Sequence, residues 1–234
     1  MMKRGLRPLV ASAFLLLALA ARASAQIPTM TDERVWFTFS AQGPLWNKSS
    51  PWRLTFESFV RSRDGVNQLD SASVRPILSY TLNRHSSIGG GLAFAPTFPV
   101  VGGSLMEYRW FEQYVFTAAV GGGTFSWRTR LEQRFIARND GVDHRLREQV
   151  RYTHPIAPGS RTSLIGYDEL FVHVNETRRY PEGGVDQNRL FAGAGRTINS
   201  RVRIEVGYLN QFTPGHALPD RMNHILSGSL LISY

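Results

Sequence analysis

The chain alternates hydrophobic and polar residues in segments of about ten residues, and this period of two is its dominant pattern. Residues 52–61 read WRLTFESFVR, and residues 202–212 read VRIEVGYLNQF. Successive side chains of a β-strand point to opposite faces, so each such segment has one apolar face and one charged face. The pattern therefore predicts an all-β protein.

Eleven segments carry the pattern: 33–41, 50–61, 70–83, 86–97, 106–118, 123–138, 142–154, 161–174, 187–197, 200–212 and 223–234. The links between them alternate between short turns and longer stretches rich in Gly, Pro and Asp, as in outer-membrane barrels. Bacterial single-chain barrels have even strand counts, so we predict a transmembrane antiparallel β-barrel of roughly 10–12 strands, with 12 favoured. The first segment is then either outside the wall or accompanied by a further strand.

A soluble β-sandwich would alternate in the same way, and two features favour the barrel. Aromatic residues stand near the ends of the apolar stripes, as the girdles of membrane barrels require; examples are Trp36, Trp52, Tyr108 and Tyr208. The polar stripes mix arginine with glutamate, and such charges must pair inside a narrow barrel because unpaired buried charge is costly.

Residues 1–25 are predicted to be a cleavable signal peptide. Three basic residues precede the apolar run 9–20, and Ala23-Ser24-Ala25 forms a small-residue cleavage site. The expected domains are therefore the signal peptide, 1–25, and an outer-membrane β-barrel, 26–234. An N-terminal anchor helix is the alternative, but the run has no stop-transfer flank.

Composition narrows the classes of function. The chain has no cysteine, which excludes disulfides, thiolate metal sites and a lipoprotein anchor. The formal net charge of +9 falls to +5 without residues 1–25, which hold four basic residues and no acid. The arginines alternate with acids and form no basic stripe, so nucleic acid is not an expected partner. No spacing of histidines suggests a metal site, and no cofactor is expected.

The last segment alternates Leu226, Gly228, Leu230, Ile232 and an aromatic Tyr234. This resembles the C-terminal signal by which bacterial outer-membrane barrels are recognised for assembly. We therefore expect Tyr234, Ile232 and Leu230 to act as an assembly signal. The expected partners are outer-membrane lipid and the barrel assembly machinery.

Ordered motifs in the second half carry a more specific resemblance. They are Arg130–Phe135, Arg147–Tyr152, Tyr167–Phe171, Asp186–Leu190, Gly193–Gly195, Glu205–Phe212 and His224. In order and spacing, the chain resembles a bacterial outer-membrane family known as domain of unknown function 2490. That resemblance implies an outer-membrane barrel with no assigned activity.

Charged and polar residues of the predicted strands should meet in the lumen. The candidate lumen cluster comprises Arg128, Arg130, Glu132, Arg134, Arg147, Arg151, Glu169, Gln187, Arg189, Arg203, Glu205 and Gln211. Asp168 and Glu169 are adjacent and face opposite sides, so they cannot work as a paired acid and base. We expect one of them to need a bulge or a rim position. The cluster is interpreted as ion pairs that neutralise a narrow interior, with a solute path as the alternative.

Because outer-membrane barrels include hydrolases, the polar residues of this sequence are also candidates for a catalytic site. His173, close in sequence to Asp168 and Glu169, is the best-placed candidate base, and His216 lies in or near an outer loop. No serine stands in a nucleophile-elbow context, and the catalytic residues are unknown. The sequence leaves enzymatic activity uncertain and favours its absence.

Three functions remain at this stage. The first is a structural or interaction role for a barrel with a narrow, arginine-lined lumen. The second is a narrow, porin-like solute channel that prefers anions, and the third is a lipid-modifying hydrolase at the rim. All three share the expected location in the bacterial outer membrane.

Overall fold

The computed structural model describes residues 29–100, 102–177, 180, 183–215 and 218–234. The predicted signal peptide, Gln26 and His216 lie outside these residues. In the part of the chain that the structure describes, no helix is long and apolar enough to cross a membrane.

Eleven strands form within the described residues, each from one of the alternating segments. They are β1 Met30–Pro44, β2 Trp52–Arg63, β3 Gln68–Thr81, β4 Ser86–Phe94, β5 Glu107–Val120, β6 Gly123–Ile136, β7 Asp143–Pro155, β8 Thr162–His173, β9 Gly184–Thr197, β10 Val202–Thr213 and β11 Arg221–Ser233. The all-β prediction is confirmed, and the strands close into a barrel.

The prediction of an even strand count, with 12 favoured, was wrong for the described residues. Each strand pairs antiparallel with the next along the chain, and the barrel closes where β1 pairs with β11. An up-and-down ring with an odd number of strands must join its first and last strands in parallel, and this seam is parallel. The first alternating segment is therefore part of the wall, and no twelfth strand is needed.

The seam runs in register from Met30 opposite Arg221 to Gln42 opposite Ser233. Tyr234 extends it, since its backbone nitrogen donates to the Gln42 carbonyl oxygen at 3.0 Å. Its ring lies over Gly43, where an added Cβ would come within 2.5 Å of the ring. The connection between β6 and β7, which contains Asp140 and Gly141, has six residues, 137–142.

The two rims differ in their connections. One, here the loop rim, carries 64–67, 95–106, 137–142, 174–183 and 214–220; the other, the turn rim, carries 45–51, 82–85, 121–122, 156–161 and 198–201. The link between β2 and β3 is four residues, shorter than its composition predicts. Because the seam is parallel, β1 starts at the loop rim and β11 ends at the turn rim.

Apolar side chains cover much of the outer face of the barrel, and charged and polar side chains lie in its interior. Large hydrophobic side chains such as Phe37, Trp110 and Leu226 are exposed on the outer face, whereas Arg130 and Glu132 are only 1% exposed. Trp36 was expected among the outer aromatics, but its parity along β1 places it inside, where it is 6% exposed. It packs there on Ile165, Phe191, Leu209 and Ile225.

The parallel seam predicts a specific disulfide. Phe37 and Gly228 are Cα partners across it, and the chain has no cysteine of its own. A variant with Phe37→Cys and Gly228→Cys should oxidise to a species of altered mobility on a non-reducing gel. The control pairs Phe37→Cys with Ile232→Cys, which lies four residues along the strand, about 13 Å away and too far to bridge. Bridging of the control alone would contradict the register.

Candidate functional site

The lumen of the barrel is the candidate site because it gathers most of the buried charge. Alternation along each strand turns every second residue inward, and on β6 and β7 more than half of these residues are ionisable. The arginines of the described lumen include those at 61, 75, 109, 128, 130, 134, 145, 147, 151, 189 and 203. Its carboxylates include those at 57, 107, 132, 143, 169, 186 and 205.

An ion-pair chain begins near the loop rim on β5 and β6. Glu107 accepts from Arg109 Nε and from Arg134 Nε, each at 2.6 Å. Arg134 Nη1 donates to Asp143 Oδ2 at 2.8 Å, which carries the chain to β7. Asp143 is fully buried. Each carboxylate thus has guanidinium partners on the same or the neighbouring strand, which is how a buried charge becomes tolerable.

The chain continues through the middle of the wall. Glu132 accepts from Arg145 Nη2 and Arg147 Nη1, each at 2.6 Å. Arg147 Nη2 also donates to Glu169 Oε1 on β8 at 2.6 Å, and Arg128 Nη2 donates to the same oxygen at the same distance. The strand register sets these contacts. Arg147 is directly opposite Arg130 and Phe171 in the ladders, and its carboxylate partners Glu132 and Glu169 each lie two residues away from those positions.

His173 lies inside this network near the loop rim. Its Nδ1 is 2.7 Å from Asp143 Oδ1, and its Nε2 is 3.3 Å from Asp186 Oδ1. Its ring stacks on Tyr180 with centroids 3.8 Å apart. Arg145 Nη1 in turn donates to Asp186 Oδ2 at 2.7 Å. Both ring nitrogens therefore face carboxylates, and the imidazole links two parts of the ion-pair chain.

This geometry does not assemble a hydrolase within the described residues. The polar contacts of His173 are with carboxylates, and no serine or threonine hydroxyl bonds to it. No group of three or more His, Asp and Glu side chains could hold a metal ion there either. The arrangement can bind charge and fill space.

A second polar group lies toward β10 and β11. Glu205 Oε1 accepts from Arg151 Nη2 at 2.6 Å and from Arg203 Nε at 2.9 Å. Next to it runs a ladder of amides, in which Gln211 donates to Gln187, and Asn223 Nδ2 donates to Gln211 Oε1 at 3.0 Å. Amides satisfy one another without adding charge, so this side of the lumen is closer to neutral.

Aromatic rings separate several guanidinium groups. Arg61 lies 4.1 Å from the Trp36 ring centroid and 3.9 Å from that of Phe59. Arg189 lies 4.9 Å from Trp36 and 4.5 Å from Phe171. Guanidinium groups are attracted to ring faces at such distances. Arginines and rings thus alternate across the interior and occupy it.

All twelve residues of the predicted lumen cluster face the interior. Arg130 is the charged member of the cluster that forms no salt bridge within the described residues: it donates to Gln113 Oε1 at 2.6 Å and lies over Phe111. Sequence reasoning missed Glu107, Asp143, Arg145 and Asp186, which complete the chain. The alternating pattern assigns these four residues to the inward face and could have identified them. They lie near strand ends, however, where only a few alternating residues define the face.

Asp168 departs from expectation. It faces outward in a regular stretch of β8 rather than at a bulge or rim, and both of its carboxylate oxygens accept from Asn188 Nδ2 at 3.1 Å. Its neighbour Glu169 faces the lumen and is buried. A hydrogen bond from the next strand, not a backbone irregularity, accommodates the outward acid.

Comparison with known proteins gives a family and no activity. A family model described as "Protein of unknown function (DUF2490)" matches residues 33–223. An uncharacterized protein of Methylorubrum extorquens is 30% identical over 237 residues, and the match covers 100% of this chain and 100% of that protein. No solved structure matches.

The ion-pair chain makes Glu132 a stability determinant. Glu132→Gln leaves the guanidinium groups of Arg145 and Arg147 without their shared carboxylate, and we expect a loss of about 3–5 kcal/mol of unfolding free energy. Urea unfolding in detergent micelles, followed by tryptophan fluorescence, measures it. Glu33→Gln is the control, because Glu33 is exposed on β1. Equal urea midpoints for the two variants would show that the ion-pair chain contributes nothing to the free energy of unfolding.

Proposed function

The chain belongs to the family described as protein of unknown function (DUF2490), and from that premise we propose that it is an outer-membrane barrel with a structural or interaction role and a lumen closed by its own side chains. The observation that carries the proposal is the inside-out distribution, with exposed hydrophobic residues outside and buried ion pairs inside. Its partners are then outer-membrane lipid and, through Leu230, Ile232 and Tyr234, the barrel assembly machinery.

The outer face supports a lipid environment. Exposed large hydrophobics occur on every described strand except β7, and they include Phe56, Val74, Leu92, Val206 and Leu226. Soluble monomers rarely expose continuous apolar patches of more than a few hundred Å². A closed ring also leaves no unpaired strand edge, which is the condition for β-structure in a bilayer. The strands have 9 to 15 residues, and crossing a membrane takes about 9–11.

Polar side chains on the outer face are paired, which is compatible with lipid. Glu148 Oε2 accepts from Trp127 Nε1 at 2.8 Å and from Thr129 Oγ1 at 2.9 Å. Glu112 Oε2 accepts from Gln133 Nε2 at 3.1 Å. Like the hydrogen bonds between Asp168 and Asn188, these pairs satisfy polar groups for which hydrocarbon offers no hydrogen-bond partner.

The filled interior supports a closed lumen. The ion-pair chain extends from β5 to β9, and the stacked arginines and rings occupy the space between opposite walls. A conducting path would need these contacts to open together. Small barrels generally have just enough interior for side chains to fill.

A narrow anion-preferring channel is the second candidate. The specific observation in its favour is the excess of arginine over carboxylate among the described lumen residues. Such an excess would attract anions and repel cations. The rim hydrolase receives no comparable support, because His173 is bonded to two carboxylates.

Lipid contact predicts that the outer face tolerates no charge at its centre. Leu190 is exposed in the middle of β9, and a lipid-facing arginine there should cost about 2–4 kcal/mol. Leu190→Arg should therefore lower the amount of protein recovered in the outer-membrane fraction. Leu218→Arg, in a loop-rim connection, is the matched control and should be recovered normally. Equal recovery of both variants, or a soluble wild-type protein, would contradict the membrane location.

The closed lumen predicts the absence of conductance. Refolded protein in a planar lipid bilayer should show no current steps, because the lumen side chains are bonded to one another. Anion-selective steps would instead support the channel and remove the closed-lumen proposal. Circular dichroism of the same sample should show β-structure, so that a silent trace reports on folded protein.

A further inference from the structure

One part of the lumen concentrates hydrogen-bond donors that have no acceptor. Trp36, on β1, reaches into the interior and lies against the guanidinium groups of Arg61, 4.1 Å from its ring centroid, and Arg189, 4.9 Å away. Arg61 belongs to β2, whereas Arg189 belongs to β9, beyond β11 and β10 on the other side of the seam. Trp36 therefore brings two arginines from distant strands to one place.

Each of these three side chains has a buried N–H group without a partner among the described residues. They are Trp36 Nε1, Arg61 Nε and Arg189 Nε. Trp36 and Arg189 are more than nine-tenths buried. Leaving such a donor unsatisfied costs about 1–3 kcal/mol, and more when the group is charged. Three such donors, on Trp36 and on the two arginines that lie against its ring, indicate a missing acceptor.

The charge balance at this point is positive. Two further arginines share the aromatic partners of Arg61: Arg189 also lies against Trp36, and Arg75 also lies against Phe59. Arg61 makes no salt bridge within the described residues. The carboxylate nearest to Arg189 is Glu169 at 3.8 Å, and that carboxylate is bound more tightly, at 2.6 Å, by both Arg128 and Arg147.

More unpartnered donors lie on the adjoining strand. Ser73 stands directly opposite Phe59, the ring on which Arg61 stacks. Its hydroxyl and Arg75 Nε are both buried without a partner among the described residues. The Arg75 guanidinium lies 5.1 Å from the same Phe59 ring. The uncompensated donors therefore continue from the Trp36 contact toward β3.

We propose that the lumen binds a small oxyanion, of the phosphate or sulfate class, between Arg61, Trp36 and Arg189. A tetrahedral oxyanion presents several acceptor oxygens in different directions, which suits donors that approach from opposite strands. Guanidinium groups bind such oxygens through charge-assisted hydrogen bonds, and an indole N–H acts only as a donor. The anion supplies the negative charge that Arg61 lacks.

The site has a route to solvent. Arg61 is only partly buried, although its Nε is enclosed, so part of its side chain is accessible to solvent. An anion could exchange there without opening the ion-pair chain of β5 to β9. The inference is independent of the membrane location, because it rests on contacts inside the barrel.

The test is a titration of the purified full-length protein in detergent micelles with inorganic phosphate. Thermal unfolding is followed by tryptophan fluorescence, with sodium chloride at equal ionic strength as the reference. A ligand of the folded state raises the unfolding temperature in a saturable manner. General stabilisation by phosphate as a salt grows without saturation, so saturation distinguishes the two.

Two variants identify the site. Arg61→Gln should weaken the apparent phosphate affinity at least about tenfold, since a charge-assisted bond is lost. Arg53→Gln is the matched control, on the same face of β2 but about 27 Å nearer the turn rim. It should bind phosphate like the wild type.

Trp36→Phe provides an independent check should Arg61→Gln fail to fold. It keeps a six-membered ring for the two guanidinium groups and removes the five-membered ring with its N–H, so phosphate affinity should fall several-fold in a folded protein. The proposal is wrong if wild-type protein shows no saturable response to phosphate, or if chloride is equally effective. It is also wrong if Arg61→Gln and Arg53→Gln respond alike.

Discussion

The closure of eleven strands into a ring is the constraint on which the rest of the structure depends. Because side chains alternate across each strand, a closed wall forces half of them into a confined interior and half onto an outer surface without edges. The charged half is inside, and burial without pairing would be costly. The ion-pair chain from Arg109 through Glu132 and Glu169 is the consequence. The same closure leaves an outer face without edges, on which most large exposed side chains are apolar and several polar ones are hydrogen-bonded to each other.

Pairing is uneven around the lumen, and this unevenness relates the architecture to function. On strands β5 to β9 the buried carboxylates are bound by arginines, and these ion pairs close that side. On β1 to β3, Arg61 has no salt bridge among the described residues and Arg75 has one, to Glu57, while Trp36 lies against both Arg61 and Arg189. A side with paired charges and a side with unpartnered donors thus share one interior. That division makes a closed barrel with an internal anion site a coherent reading.

The alternating segments predicted the strands well because alternation is a local property. Each of the eleven segments became a strand, and the lumen cluster from Arg128 to Gln211 faces inward. What alternation lacks is register, and ion pairs between strands depend on it. Asp143 and Asp186 were missed for that reason, and Trp36 was assigned to the wrong face because an aromatic residue fits either face. The even strand count came from a general tendency of bacterial barrels, which local pattern could not test.

The central claim is that the apolar face of the wall meets lipid and the charged face meets a closed interior. Spin labels placed singly on β10 and reconstituted into lipid vesicles test it through their accessibility to dissolved oxygen and to a water-soluble nickel complex. Labels at Ile204 and Val206 should be relaxed by oxygen, which concentrates in the bilayer. Labels at Arg203 and Glu205 should be protected from it. Stronger relaxation by the nickel complex at Ile204 and Val206 would contradict the account, because it would place that face in water.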